Sequence, residues 1–515
     1  MPRAPSRCLA FARLRLGSRR LGGLWEALFA LAVLSTTLPL FAARYVPIQD
    51  LPQHVAAVRV LSDYSEPALA FERFFVTDVF ATQYLSVYLL ASALASVFGA
   101  LLACKLVLAI AMLSLPYALR ALLGELGKPR SFALLALPLA HSVHLVLGFV
   151  NFLAGLPLLL GGLALCLGVA RSPSRARSLG LGAVALVCFY THVIPFGVLA
   201  LGASLVAIAT RSAAGARRVL LPLAPSALAA LVWLFTNPAG HLVASLLAGG
   251  ERDAPEFTPA DRALAELPDW LIDVLPGSAD ELVLIGWGAL VVALFVATFP
   301  RAVAPALARR RRALGALVPL AVLAYFVAPA SYGFIWPIHA RFPLIALLLT
   351  IPALPRPGRA AQAVVASLAL ALSAVATHAT FRAFRAAALE ESAGLAEIVR
   401  EVPLGSRVAG LVWARGSRYV RFSPHLHTAA WVQAERGGAV MFSFAEFPHS
   451  PFRFRDAERP PRVPPRWEWL PDAVDPRVDL DWYEVVITRG GPARLPGWTR
   501  RAQHGAFALW RRAPR

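Results

Sequence analysis

The sequence predicts a mainly α fold: a polytopic transmembrane helix bundle of about 11 spans, with a small extracytoplasmic α/β domain at the C-terminal end. Three observations carry that prediction. Of 515 residues, 58% are hydrophobic and only 16% are charged, too little charge to surface the soluble domains that this length would otherwise allow. The apolar residues gather in long runs from Leu24 to about Thr377, whereas Phe381–Arg515 has an ordinary soluble composition. The formal charge of +20 is concentrated in short connectors between those runs: Arg171–Arg177, Arg211–Arg218 and Arg309–Arg312. Cytoplasmic loops of a membrane protein have this character, whereas a nucleic-acid binder clusters its cations on one folded face. No nucleic-acid partner is expected.

Residues 1–23 form a basic tail, expected in the cytoplasm. The apolar run Leu24–Ala43 follows without a small-residue cleavage site at the right distance, so it is expected to be a retained first helix. At about 20 residues per crossing, further spans are expected at 101–122, 131–147, 149–170, 178–194, 195–210, 219–236, 281–300, 313–329, 341–355 and 360–380. Gly148 and the Pro195 region mark turns inside two runs too long for one pass. Segment 83–98 is apolar but short. If it crosses, the Arg171–Arg177 and Arg309–Arg312 loops fall outside. If it lies along the membrane or re-enters, every basic loop shares the side of the N-terminus. The second arrangement is preferred, 12 or 13 spans being the alternative. It makes 24–380 a bundle with outer loops 44–82 and 237–280, and places domain 381–515 outside. Of four cysteines, Cys8 is in the tail, Cys104, Cys166 and Cys188 lie in apolar runs, and the C-terminal domain has none.

The polar residues worth examining collect on the outer side. In Tyr45-Val-Pro-Ile-Gln-Asp50-Leu-Pro-Gln-His54, Pro52 is expected to open a helix with Asp50 at its start, either as a cap or as a functional carboxylate. Asp50 could take a proton from a sugar or lipid hydroxyl, or hold a divalent metal with His54 and water; the sequence does not choose. Residues 55–61 and 67–79 read as membrane-surface helices. His141 and His144, three apart, read as bundle hydrogen-bonding groups or, with a weaker signal, metal ligands, and Asn151 follows. His192 is a candidate for lining a site. After an aromatic loop with Tyr332, Phe334 and Trp336 come His339 and Arg341, where the arginine grips a phosphate or snorkels to lipid. Loop 251–280 carries eight acids and two arginines. In the tail, strands are expected at 407–413, 440–444, 482–488 and 506–510, helices at 382–400 and at 426–435 with Gly437-Gly438 as its stop, and an irregular loop at 448–476. His425-Leu-His427 and Glu446-Phe-Pro-His449 are polar concentrations without an assigned role. Nucleophile-elbow, Walker, dinucleotide and zinc motifs are absent.

A basic N-terminus, one span, an outer loop with an early Asp, membrane-parallel helices and then many spans resembles the polytopic GT-C glycosyltransferase superfamily. The layout also resembles uncharacterised bacterial membrane proteins catalogued as 6-pyruvoyl-tetrahydropterin synthase-related, a label that does not imply pterin chemistry. The resemblance covers roughly residues 20–380 and rests most on Asp50. It implies a polyprenyl-phosphate sugar donor, an acidic residue in the first outer loop as base or metal contact, and an envelope glycan or protein acceptor. Asp50 would then activate the acceptor hydroxyl for inverting attack, with His54 and His192 among the substrate-binding groups and Arg341 and His339 at the donor phosphate. The superfamily's acid-x-acid pair is reduced here to Gln49-Asp50, and Glu72 or Asp78 are the candidates for a second carboxylate. A lipid-precursor transporter and a non-catalytic assembly protein are the alternative functions. Abundant Ala, Arg, Gly and Pro suggest a bacterial inner membrane.

Overall fold

The computed structural model describes residues 23–79, 82–247, 254–297, 303–333, 335–461 and 469–513. The basic tail up to residue 22, Phe334 and the 248–253 part of the acidic loop lie outside the described residues. The bundle is built from α1 (Gly23–Ser35), α2 (Leu51–Ser62), α3 (Leu85–Phe98), α4 (Ala100–Glu125), α5 (Val150–Arg171), α6 (Arg175–Phe189) and α7 (Val193–Ala209). It continues with α8 (Ala213–Thr236), α9 (Ala279–Ala297), α10 (Pro305–Gly315), α11 (Leu317–Val327), α12 (Phe342–Ala353) and α13 (Arg359–Ala386). Among the described residues, five helices are long and apolar enough to cross a membrane. Their outward faces carry bare apolar side chains, such as Leu228, Phe235 and Val296, which are 63%, 69% and 78% exposed. A surface this apolar is stable in lipid and not in water, so the chain is an integral membrane protein.

The two ends of the bundle differ chemically. Helix C-termini leave carbonyls without partners, and three such ends converge on one arginine run. Arg309 donates to Ala209 O (3.3 Å), Arg310 to Ala170 O (2.9 Å) and Arg311 to Leu126 O (2.7 Å). Lys128 donates to Leu354 O at the end of α12, and Arg120 makes a bidentate pair with Glu26 near the start of α1. The positive charge that orients a membrane protein therefore also caps the helices of one end. At the opposite end, α3 begins beside Tyr190, whose carbonyl accepts the Ser86 N–H at 2.9 Å. It finishes at Phe98 and Gly99 on a pocket shared with Arg44 and Arg59. Both ends of α3 thus lie near the same end of the bundle.

Close helix approach depends on glycine. A Cβ on Gly155 would fall 2.7 Å from Pro195 Cγ, and one on Gly162 would fall 2.7 Å from Leu199 Cδ1, so α5 and α7 pack in near contact. Several expectations are corrected. Segment 131–147 is not one α span: it runs as 3-10 turns Arg130–Ala136 and Pro138–His141 and then a short helix Val143–Leu147, broken where Pro138 lacks a donor and Ser142 is extended. Segment 67–79 is only briefly helical, at Pro67–Leu69 and Phe71–Phe74, and then forms strand β1 (Phe75–Thr77). The second bend falls at Tyr190–His192, with Pro195 inside the first turn of α7. Loop 237–280 is partly internal, since Trp270–Leu275 is buried throughout.

The tail adds helices α14 (Leu395–Glu401) and α15 (Ala430–Arg436) and strands β2 (Arg407–Val412), β3 (Ala439–Val440), β4 (Phe452–Phe454), β5 (Val485–Arg489), β6 (Trp498–His504) and β7 (Phe507–Arg512). A five-stranded sheet runs β3-β2-β5-β7-β6, parallel across β3, β2 and β5 and antiparallel beyond. The expected α/β character holds; β6 was not expected. The irregular loop does fold back: β4 pairs antiparallel with β1, with Phe75 opposite Phe454. Helix α15 starts later than expected because 424–429 forms turns, and Gly437 and Gly438, at φ +74° and +75°, end it.

Candidate active site

Asp50 is held by its backbone. The short helix Val143–Leu147 closes at Gly148, with φ +82°, and its last free carbonyls take the loop: Gln49 N–H donates to Val146 O (2.8 Å) and Asp50 N–H to Leu147 O (3.1 Å). Asp50 occupies the N-cap position of α2, yet its side chain makes no capping hydrogen bond. The carboxylate faces instead a cavity of about 1320 Å³ between the bundle and the tail. There Asp50 Oδ1 lies 3.4 Å from His427 Nε2. The tail is anchored one turn away by Gln53, 1% exposed, whose amide donates to Phe442 O and accepts the Phe444 N–H at 3.1 Å.

The same cavity is lined by His54, His192 and Arg341, so four of the five expected site residues meet there. Their states differ. His54 Nε2 is 3.1 Å from Gly148 O, which can only accept, so Nε2 carries the proton and Nδ1 accepts from Tyr88 OH at 3.1 Å. With both nitrogens engaged, His54 positions α2 and α3 against the Gly148 turn; it does not fit a metal or substrate ligand. Burial pushes its pKa down to about 4, against the pull of Asp50. His192 Nδ1 accepts the Ile194 N–H at 3.2 Å, which leaves Nε2–H of the neutral ring as the free donor. Arg341 is 7% exposed, donates to Pro337 O and lies 4.8 Å above the Phe149 ring. Its Nε has no acceptor among the described residues. Arg341 is turned inward, so snorkelling to lipid does not account for it.

The fifth residue separates. His339 lines a neighbouring cavity of about 850 Å³ and stacks on Tyr325 at 5.2 Å; among the described residues only Trp336 is shared between the two cavities. His141 and His144 do not act together, because the break at Ser142 sends them apart: His141 to Thr377 Oγ1 (3.0 Å) and His144 to Ala340 O (3.1 Å). Glu72 and Asp78 are absent from the cavity lining; Asp78 N–H donates to Pro451 O beside the β1–β4 pair. Among the described residues, the second carboxylate at the cavity is Glu446, paired with Arg459 at 3.0 Å. Among the described residues, the acidic group compact enough for a metal is Asp273, Asp280 and Glu281, which surrounds Arg421 (2.9 Å from Asp273) and ties the acidic loop to the tail. Asp50 with His54 does not form such a set.

Sequence reasoning did not assign His427, His449 or Tyr84, all in the cavity wall. Tyr84 contacts His192 and His449 with ring centroids 5.6 and 5.2 Å apart. Burial, with His54 and Arg341 close by, pushes His449 down to about 3, and burial raises Tyr84. The only advance signal was the local concentration of polar residues around 425–427 and 446–450.

No family model and no curated protein matches the chain, so kinship with the pterin-synthase-related proteins finds no support there. Among solved structures the chain is similar to ArnT from Cupriavidus metallidurans in the apo state, at 13% identity and a TM-score of 0.48, over 95% of this chain and 98% of that one.

Proposed function

We propose that the chain is a membrane glycosyltransferase that moves a sugar from a polyprenyl-phosphate donor to a hydroxyl of a cell-envelope acceptor, on the outer face of the membrane. One observation carries the reading: Asp50, His427 and Arg341 line a single cavity at the end of the bundle remote from the arginine-capped helix ends. By the positive-inside rule we read the arginine end as cytoplasmic, which puts the cavity on the outer face; about 11 crossings and a cytoplasmic N-terminus belong to the same reading. The layout resemblance to the GT-C superfamily supports the same reaction class.

The chemistry follows from the groups. His427, with Nε2 3.4 Å from Asp50 Oδ1, faces the carboxylate and orients it. Asp50 takes the acceptor's hydroxyl proton as that oxygen bonds to the anomeric carbon. The bond from that carbon to the phosphate oxygen breaks on the opposite side, with inversion, and the electron pair leaves with the phosphate. The Arg341 guanidinium balances the charge arriving there. Neutral His192 and Tyr84 supply hydrogen bonds without adding charge. The transporter and scaffold readings draw on no comparable gathering; a transporter calls for a polar site at the bilayer midplane. The test is transfer from a polyprenyl-phosphate sugar by purified Asp50→Asn. Loss of about 10²–10⁴-fold is expected, at unchanged elution and thermal stability. Full activity in that variant ends the proposal.

A further inference from the structure

Between Ala100 and Leu119 of α4 the only charged residue is Lys105. It is 5% exposed, and its Nζ donates to Ala43 O at 2.6 Å. An ammonium has three protons to place, and among the described residues Lys105 forms no ion pair. A lone buried cation near the hydrocarbon boundary is costly, and such residues mark ligand sites. Lys105 lines a second cavity, of about 500 Å³, within the roughly 300–1,000 Å³ of small-molecule sites. The reaction proposed above does not use it. Helix α2 separates the two: Asp50 and His54 line the large cavity, whereas Val55 and Arg59, on another face, line the small one.

The small cavity has two kinds of wall. Arg44 and Arg59 stand with Lys105; Arg44 pairs with Glu435 at 2.9 Å and Arg59 with Asp63 at 2.8 Å. The Glu435 carboxylate, which also lines it, is covered by Arg44 and by Tyr45 OH at 2.7 Å. The rest is apolar, and Phe41 and Phe98 at its mouth are about half exposed. A cationic recess under a greasy rim matches one chemistry, a phosphate carried on acyl chains. We propose that this pocket binds the headgroup phosphate of an anionic membrane lipid, with Lys105 as the buried counter-charge and Arg44 and Arg59 at the rim. Because Trp431 and Glu435 of α15 form the far wall, the bound lipid touches the tail domain as well as α4.

The proposal is independent of the transfer reading and is tested without it. The full-length protein in detergent is titrated by native mass spectrometry with phosphatidylglycerol, with diacylglycerol and with inorganic phosphate. Wild type should bind phosphatidylglycerol in preference to both others. Lys105→Met should weaken that binding about tenfold and Lys105→Arg should retain it. If Lys105→Met does not fold, the rim variant Arg59→Gln serves, with a smaller loss in the same direction. Equal binding of phosphatidylglycerol to wild type and variants overturns the site. Equal binding of diacylglycerol overturns the role of the phosphate, and equal binding of inorganic phosphate overturns the lipid.

Discussion

Replacing Gly148 by alanine measures how tightly the Asp50 backbone is seated. Two terms add. At φ +82° an L-residue enters the left-handed region at a cost of roughly 1–2 kcal/mol. The new methyl would also lie 2.9 Å from Asp50 N, 3.0 Å from Asp50 Cβ and 3.1 Å from Ile48 Cγ2. Carbon contacts settle at about 3.5–4.0 Å, so the loop must retreat by roughly half an ångström. It can do so only by stretching the hydrogen bonds from Gln49 and Asp50 to Val146 and Leu147. Overpacking of this kind costs about 1–3 kcal/mol, for a total of roughly 2–5 kcal/mol. Two controls separate the terms. Gly127→Ala, at φ +61° past the end of α4 with only ordinary contacts, the nearest at 3.5 Å, carries the conformational cost alone. Gly197→Ala, within α7 with no atom within 4 Å, carries neither and gains up to about 1 kcal/mol of helix propensity. Thermal unfolding in detergent should therefore rank Gly197→Ala at or above wild type, Gly127→Ala below it and Gly148→Ala lowest. A Gly148→Ala protein as stable as Gly127→Ala would refute the tight seat.

Gln53→Ala should loosen the tail. It strips partners from the Phe442 carbonyl and the Phe444 N–H, which at about 1–3 kcal/mol per unmet buried group makes roughly 2–6 kcal/mol; limited proteolysis should cut the tail faster, and an unchanged rate would count against this anchor. Asp273 gives a pH dependence. Burial, with Asp269, Asp280 and Glu281 around it, raises its carboxyl to about 7 although Arg421 opposes the shift. The unfolded group titrates near 4, so between about pH 4 and 7 the folded state holds the extra proton and stability falls as pH rises. Asp273→Asn should flatten that fall, matching wild type near pH 4 and unfolding at a higher temperature at pH 8. A lower unfolding temperature at pH 8 would mean that the Arg421 ion pair dominates.

How much the sequence determined follows from the range of the forces involved. The apolar helices, the turn at Gly148 and the stop at Gly437-Gly438 depend on local composition, and these could be read directly. Asp50 stood out for the same reason, a carboxylate at a helix start beside a membrane boundary. The break of 131–147 into short turns was partly hidden, because apolar composition alone does not distinguish a 3-10 stretch from an α span.

Tertiary structure decided the rest. Strand β1 exists only because β4, far along the chain, supplies its hydrogen bonds. His427 reaches Asp50 across more than three hundred residues, and no spacing rule connects them. His54 looked like a ligand until Gly148 O and Tyr88 OH were found on its two nitrogens, and His339 looked like the companion of Arg341 until the fold turned it into another cavity. Side-chain identity is written in the sequence, but whether a polar atom is already satisfied depends on neighbours that only chain packing brings within hydrogen-bond distance.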